Sequence, residues 1–128
     1  MNMALNQYTD TSECLAYKIA HVVFAETDGR SLQSVEALTS MIKNLSNKTG
    51  IGIQDIIKTS KMFTRTKESV DMTGRHFQMC LRVARRMLNG ALPDMCFGAT
   101  MFHHVDTMPQ WSISRGYIAD IDGMLFYL

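Results

Sequence analysis

Residues 12–26 read SECLAYKIAHVVFAE, and the fold predicted from the sequence is built around this stretch. Three aliphatic residues and a terminal glutamate recur there at intervals of four, three and four residues. That spacing matches the period of an α-helix, so these side chains are predicted to share one face. They are Leu15, Ile19, Val22 and Glu26. Because few polar residues interrupt the stretch, we expect it to be a central helix of the domain.

Glu26 is the carboxyl group that this helix directs toward the core. Thr27, Asp28 and Gly29 follow it with turn chemistry, so Glu26 is predicted to lie at the edge of the core and to face a cleft. Burial disfavours the charged form of a carboxylic acid, and an acid that keeps its proton near neutral pH can donate it. Periodicity alone leaves a second interpretation open, a partly exposed glutamate that pairs with a neighbouring cation.

Length and composition favour one globular domain over residues 1–128. The chain has 128 residues, of which 46% are hydrophobic and 20% charged, with a net charge of +1. That charge creates no field that favours nucleic acid. We expect a monomer without a nucleic-acid partner. Asp10, Thr11 and Ser12 are candidate caps of the first helix, so residues 1–11 are expected to form a poorly ordered arm.

The cysteines and the N-terminal sequence exclude other classes of protein. Cys14, Cys80 and Cys96 are odd in number and lack CxxC or CxxH spacing, so neither a disulfide framework nor a zinc site is predicted. The N-terminal sequence MNMALNQYTD has neither the basic nor the apolar region of a signal peptide. No window approaches the ~18 apolar residues of a membrane span. We expect no membrane span and no cofactor.

Further helices follow the first. A second helix is predicted from Ser31 to the turn at residues 47–50, with one buried stripe and a solvated opposite face. Residues 51–58 fit either a strand or a short helix, and residues 60–66 fit an irregular loop. A third helix is predicted over residues 67–89. The predicted stripes are Leu32, Val35, Leu38, Thr39 and Ile42 in the second helix, and Val70, Phe77, Leu81, Ala84 and Leu88 in the third.

Four arginines lie on the opposite side of the third helix. Contact with phosphates is one interpretation, but neither a basic field nor interleaved aromatic residues support it. We therefore interpret them as a solvated face. They are Arg75, Arg82, Arg85 and Arg86.

The strongest local pattern is a β-hairpin at the end of the sequence. Tyr117–Ile121 and residues 124–128 flank Asp122-Gly123, which is typical of a two-residue hairpin turn. Helices followed by short strands predict the α+β class. Alternation predicts one face toward the helices, formed by Tyr117, Ala119, Ile121, Met124, Phe126 and Leu128.

Several short motifs occur in a fixed order from about residue 15 to the last residue. They are FAETDG at residues 24–29, IKN at 42–44, MFT at 62–64, LPD at 92–94, GATMFH at 98–103, PQW at 109–111 and FY at 126–127. In order and spacing they resemble the SleB-type cell wall hydrolases, the spore cortex-lytic family.

The resemblance implies a lysozyme-like fold that acts on peptidoglycan glycan strands, with Glu26 in the position of a single catalytic glutamate. In a lytic transglycosylase this acid protonates the oxygen between N-acetylmuramic acid and N-acetylglucosamine. Its carboxylate then removes the proton of the muramic C6 hydroxyl, which closes a 1,6-anhydro ring. Simple core packing remains open for each aromatic residue of the implied substrate site. That site comprises Phe63, Thr64, Ala99, Thr100, Phe102, His103 and Trp111.

The sequence also departs from the family pattern. Asp28 and Arg30 replace an arginine and a second glutamate, and Met101 replaces the first histidine of the GAT element. These departures leave open a catalytically inactive module that binds peptidoglycan or has a structural role. Muramidase-type hydrolysis would need a second acid, for which Asp71, Asp106 and Asp28 are the candidates.

A metal centre is not predicted. His103 and His104 are adjacent, so in a strand their side chains point to opposite faces, and no third ligand has suitable spacing. We expect action on the bacterial cell wall, in the periplasm or envelope. Without a signal peptide, both a phage lysin and a truncated exported protein agree with the sequence.

Overall fold

Ser31 and Gly50 delimit the second helix of the computed structural model, which describes residues 3–128 and the side chains of residues 12–128. The Ser31 hydroxyl accepts the Ser34 N–H at 3.1 Å, which satisfies a free donor of the first turn. Gly50 has φ 75°, and its N–H donates to the Ser46 carbonyl at 2.9 Å. Both predicted ends of this helix are confirmed.

The described residues form helices and a small antiparallel sheet in the order β1-β3-β2, which confirms the α+β class. Among these residues no helix has the length and apolar character needed to cross a bilayer. The elements are α1 (Met3–Thr27), α2 (Leu32–Thr49), α3 (Ile53–Thr59), α4 (Arg75–Leu88), β1 (Met101–His104), a 3-10 helix (Gln110–Ser114), β2 (Tyr117–Ile121) and β3 (Met124–Tyr127).

The first helix begins earlier than predicted. Its backbone is helical from Met3, so the prediction that caps at Asp10, Thr11 and Ser12 start it is wrong. No proline or glycine interrupts this segment, and serine, threonine and aspartate cost a helix only a few tenths of a kcal/mol each, on the order of 0.5. The expected disorder of the arm stays a prediction, and its residues 1–2 lie outside the described residues.

The buried face of α1 contains Glu26, as predicted. Ile19 is fully buried and Glu26 is 2% exposed, whereas Leu15 and Val22 are only half-buried. The buried stripe is therefore rotated slightly from the predicted one. It comprises Ala16, Ile19, Ala20, Val23 and Glu26.

Helix α2 is central to the fold together with α1. Residues 34–42 are all buried, because α1, α3, α4 and β2 surround this half of the helix. The predicted solvated face is therefore wrong for these residues. Leu32, which was expected in the buried stripe, is 48% exposed because it lies in the first turn, ahead of the surrounding elements.

The region between α2 and α4 differs in part from the prediction. Residues 53–59 form the short helix α3, one of the two alternatives, and residues 60–66 are irregular as expected. The predicted helix at 67–89 begins only at Arg75, so its first part is wrong. The Asp71 carboxylate accepts the Thr73 N–H at 3.0 Å, which stabilises a turn instead of a helix before Gly74.

The buried face of α4 contains Phe77, Leu81 and Ala84, as predicted. The solvated interpretation of its arginines holds for two of them, since Arg75 and Arg82 are exposed. The others form ion pairs: Arg85 with Glu13 and Arg86 with Glu36.

The predicted hairpin is confirmed. Asp122 and Gly123 have φ 53° and 79°, as a primed two-residue turn requires, and Ile121 pairs with Met124. A bulge between Tyr117 and Ala119 shifts the register. Tyr117 therefore turns to the other face and is 57% exposed, so the predicted common face is wrong for Tyr117 and also for Leu128, which is 57% exposed.

Candidate active site

The Glu26 carboxyl group is enclosed by protein. The residue is 2% exposed, and its side chain is 0% exposed. Its Oε2 accepts the backbone N–H of Arg65 at 2.9 Å, and its Oε1 lies 2.7 Å from Nε2 of His104. Glu26 therefore borders a small cavity instead of the expected open cleft, and the alternative of a partly exposed glutamate is wrong. An imidazole and a backbone amide hold the carboxyl group, without a guanidinium.

The chain turns sharply after Glu26, which places this residue in the last turn of α1. The Thr27 hydroxyl donates to the Val23 carbonyl at 2.7 Å and accepts the Gly29 N–H at 3.0 Å. Asp28 and Gly29 follow with φ 58° and 62°. The Thr27 hydroxyl thus stabilises the helix end that the turn chemistry predicted.

The Asp28 carboxylate is used in an ion pair. Lys67 Nζ lies 2.5 Å from it and 5.3 Å from the centroid of the Phe24 ring. The hydrogen bond from Lys67 lowers the pKa of Asp28 below its usual value, against a smaller opposing effect of burial. Asp28 therefore ties the end of α1 to the loop that precedes α4.

The two histidines of β1 point to opposite faces of the sheet, as predicted. His104 faces α1 and contacts Glu26. His103 Nε2 lies 2.8 Å from the Tyr127 hydroxyl, and its Nδ1 lies 2.8 Å from the His104 carbonyl oxygen. Both imidazoles are therefore held by hydrogen bonds, His103 on the far side of the sheet from Glu26.

A groove of about 540 Å³ borders β1 and the irregular loop 60–66. Its wall is mainly apolar, with Met62, Met101 and Met108 among its residues. Four residues of the predicted substrate site line it: Thr64, Phe102, His103 and Trp111.

The other predicted substrate residues lie behind this wall. Phe63 packs against Phe102, with 5.8 Å between the ring centroids. Ala99 is fully buried, and its carbonyl accepts a hydrogen bond from the Asn44 side chain at 3.1 Å. Thr100 is 6% exposed, and its N–H donates to the Tyr127 carbonyl at 2.9 Å. Their visible contacts support the strand and the loop before it.

Trp111 belongs to a cluster of aromatic rings beside the groove. Its ring meets those of His103 and Tyr127 edge-on, at centroid distances of 5.7 Å and 5.3 Å. Tyr127 also meets Tyr117 at 5.7 Å. Trp111 stays half-buried, so part of its ring remains available at the groove.

A smaller cavity of about 20 Å³ adjoins Glu26. Arg30, Arg65 and Asp122 line it together with His104. Among the described residues, His104 is the one that lines both this cavity and the groove. It therefore connects the acid to the groove. No motif in the sequence indicated this residue as part of the site. Alternation along β1 already placed it opposite His103, but it gave no indication that Glu26 lies on that side.

The candidate second acids are held by other groups. Asp106 lies 3.5 Å from the Arg65 guanidinium, and Asp28 pairs with Lys67. Asp71 accepts hydrogen bonds from Thr73 in an exposed turn, which lowers its pKa. In the part of the chain that the structure describes, no three histidine, cysteine or acidic side chains converge as a metal site.

Comparison with protein families identifies the family of this chain. Residues 36–127, more than half of the chain, match the family model described as cell wall hydrolase. Glu26 lies ahead of the matched residues, whereas His104 and the groove lie within them. Neither the curated proteins nor the solved structures include a match. The chain therefore belongs to the cell wall hydrolase family, enzymes that act on the cell wall.

Proposed function

We propose that the protein cleaves the glycan backbone of peptidoglycan as a SleB-type lytic transglycosylase with a lysozyme-like fold. Membership of the cell wall hydrolase family supports the cell-wall substrate, and the motif order from FAETDG to PQW supports the SleB type. The observation that carries the proposal is the state of Glu26. Its carboxyl group is buried, free of lysine and arginine partners among the described side chains, and joined through His104 to an aromatic groove.

The two oxygens of Glu26 have different roles in this proposal. The Arg65 N–H can only donate, so Oε2 acts as an acceptor whether or not the acid is protonated. The proton of the acid form is therefore assigned to Oε1, on the His104 side.

In the reaction, substrate binding opens the contact between Glu26 and His104 toward the groove, and Glu26 gives this proton to the oxygen that bridges N-acetylmuramic acid and N-acetylglucosamine. The bond from the muramic C1 to this oxygen breaks, and the N-acetylglucosamine side leaves as an alcohol. The Glu26 carboxylate then takes the proton of the muramic C6 hydroxyl while that oxygen bonds to C1. The ring closes as a 1,6-anhydro product, no water is consumed, and Glu26 is protonated again.

The groove suits the substrate of this reaction. Pyranose rings have apolar faces that stack on aromatic side chains, and the half-buried Trp111 offers such a surface, with the fully buried Phe102 in the wall beneath it. Thr64 lines the same groove and supplies a hydroxyl that can hydrogen-bond to hydroxyl and acetamido groups, whereas His103 borders the groove with both ring nitrogens held by protein partners. Phe63, Ala99 and Thr100 would support these residues from behind the wall. We propose a single domain that works as a monomer at the bacterial cell wall.

The test is digestion of purified peptidoglycan sacculi by the wild-type protein and by Glu26→Gln. The wild type should release soluble anhydro-muropeptides, which are lighter by one water than the products of hydrolysis. Glu26→Gln should retain the fold but lose activity by at least about 100-fold, because the amide cannot donate the catalytic proton. Glu68→Gln, at an exposed glutamate outside the groove, is the matched control and should keep wild-type activity. Undiminished activity of Glu26→Gln would exclude Glu26 from the mechanism.

A second candidate is a catalytically inactive module that binds peptidoglycan. It is favoured by the enclosure of Glu26 and by the family departures at Asp28, Arg30 and Met101. This candidate predicts that the wild-type protein sediments with sacculi and releases no soluble product. The same digest decides between the two functions, because either a transglycosylase or a muramidase would release soluble products and an inactive module would release none.

A further inference from the structure

Glu26 and His104 form a closely packed pair in the interior. Oε1 and Nε2 are 2.7 Å apart, and the two side chains are 0% and 8% exposed. A hydrogen bond of this length holds one proton between its two heavy atoms. Since Oε2 is occupied by the Arg65 N–H, the exchangeable proton of the acid belongs to the Oε1–Nε2 contact.

The charged groups that line the cavity at Glu26 have partners outside the Glu26–His104 pair. The two arginines that line the cavity at Glu26 each have another acidic partner, Arg65 with Asp106 at 3.5 Å and Arg30 with Asp28 at 3.9 Å. Asp122 of the hairpin turn accepts a hydrogen bond from Ser31. On the groove side of His104, the groups that carry or can gain a charge are Lys61 and His103.

The His104 ring is positioned by an aromatic neighbour and by the strand that carries it. It meets Phe102 edge-on at a centroid distance of 5.5 Å, and the strand that carries it pairs with β3. It also borders the groove, whereas Glu26 does not. An imidazole between an enclosed acid and a substrate groove can determine which oxygen of the acid carries the proton and where that oxygen points.

We propose that His104 is the positioning residue for Glu26: the two side chains hold one shared proton, and His104 keeps that proton on the groove side of the acid. This inference rests on the proposed function of Glu26. In the active form the pair carries one proton beyond those of a carboxylate and a neutral imidazole, either on Oε1 of the acid or on the imidazole as its cation. With a further proton both Oε1 and Nε2 are donors and the contact breaks, and without the shared proton Glu26 is a carboxylate and has nothing to give. The activity of the wild type should therefore depend on pH as a bell whose two limbs belong to the pair.

The test compares kcat profiles against pH for the wild type, His104→Gln and His103→Gln on purified peptidoglycan. The amide introduced by His104→Gln can still donate to Oε1 but cannot exchange a proton near neutral pH. We expect His104→Gln to lower kcat about 10- to 100-fold with little change in KM, and to lose the acid limb of the profile. His103→Gln changes the neighbouring histidine, which faces the other way, and should raise KM while both limbs remain. A bell with both limbs unchanged in His104→Gln would overturn the shared proton.

A second measurement needs no variant and no activity. Imidazole ¹⁵N signals of His104 and the side-chain carboxyl ¹³C signal of Glu26, followed by NMR across pH in the full chain, should move with common midpoints. Two groups that titrate independently would contradict the proposal. If Glu26→Gln digests peptidoglycan normally, the proposed function fails whatever the NMR result. If Glu26→Gln is inactive and the signals move separately, only the role of His104 fails.

Discussion

The backbone N–H of Arg65 donates to Oε2 of Glu26 at 2.9 Å, although 39 positions separate the two residues in the chain. This contact joins the irregular loop 60–66 to the last turn of α1. The Arg65 side chain extends outward and meets Asp106 at 3.5 Å, just beyond β1. One residue of the loop thus contacts both the enclosed acid and the segment that follows β1.

This contact predicts a specific pattern of amide exchange. Arg65 is exposed and lies in a loop, so the Glu26 carboxylate is its visible source of protection. Glu26→Ala removes the acceptor and should accelerate exchange of the Arg65 N–H about 10- to 100-fold, as expected for the loss of a buried hydrogen bond. Glu26→Gln keeps an acceptor oxygen and should exchange nearly as the wild type does. NMR-detected hydrogen exchange measures both, and equal rates in wild type and Glu26→Ala would disprove the contact.

The burial of α2 predicts the stability of two leucine variants. Leu38 is fully buried, and Leu38→Ala should reduce the free energy of unfolding by about 2–5 kcal/mol through lost apolar contacts and a cavity. Leu32→Ala is the matched control in the same helix. Since Leu32 is 48% exposed, it should change this free energy by less than about 1 kcal/mol. Urea denaturation measures the free energy of unfolding of both variants. Similar losses of this free energy would argue against α2 as a central helix of the fold.

The turn after Glu26 predicts different costs for two alanine substitutions at glycines with positive φ. Gly29 and Gly50 have φ 62° and 75°, so alanine at either position should cost about 1–2 kcal/mol of strain. A Cβ at Gly50 meets nothing within 4 Å, but a Cβ at Gly29 lies 2.8 Å from the His76 carbonyl oxygen. Gly29→Ala should therefore lose clearly more stability than Gly50→Ala in chemical denaturation. Equal losses would mean that α4 does not approach this turn so closely.

The cysteines predict a pH-dependent labelling pattern. Burial raises the pKa of Cys80 to about 12, and burial together with Asp94 raises the pKa of Cys96 to about 12. Thiolate, the reactive form, is therefore scarce at both positions until the pH approaches 12. Iodoacetamide at about pH 8, near the ordinary pKa of a free thiol, should label the folded protein at the exposed Cys14 and add the other two labels only in denaturant. Mass spectrometry counts the labels, and rapid native labelling of Cys80 would contradict its burial.

Several features of the fold were predictable because they depend on neighbouring residues. The ends of α2 follow from Ser31 and Gly50, and the hairpin follows from Asp122-Gly123 between alternating strands. The start of α4 was not predictable from periodicity, because the side-chain bond from Asp71 to Thr73 replaces helical pairing there. The bulge at Tyr117 also lies outside what a strict alternation can indicate.

The candidate site also has features that were predictable from the sequence and features that were not. Helical spacing placed Glu26 on the buried face of α1, and strand alternation separated His103 from His104. The partners of Glu26 were not predictable, since His104 is 78 positions away in the chain. The sequence by itself determined the helix ends, the hairpin and the buried side of Glu26, because local dihedral preferences and side-chain periods act over a few residues. Only the tertiary structure decided which groups hold the acid and that it is enclosed, because packing brings together residues that the chain keeps far apart.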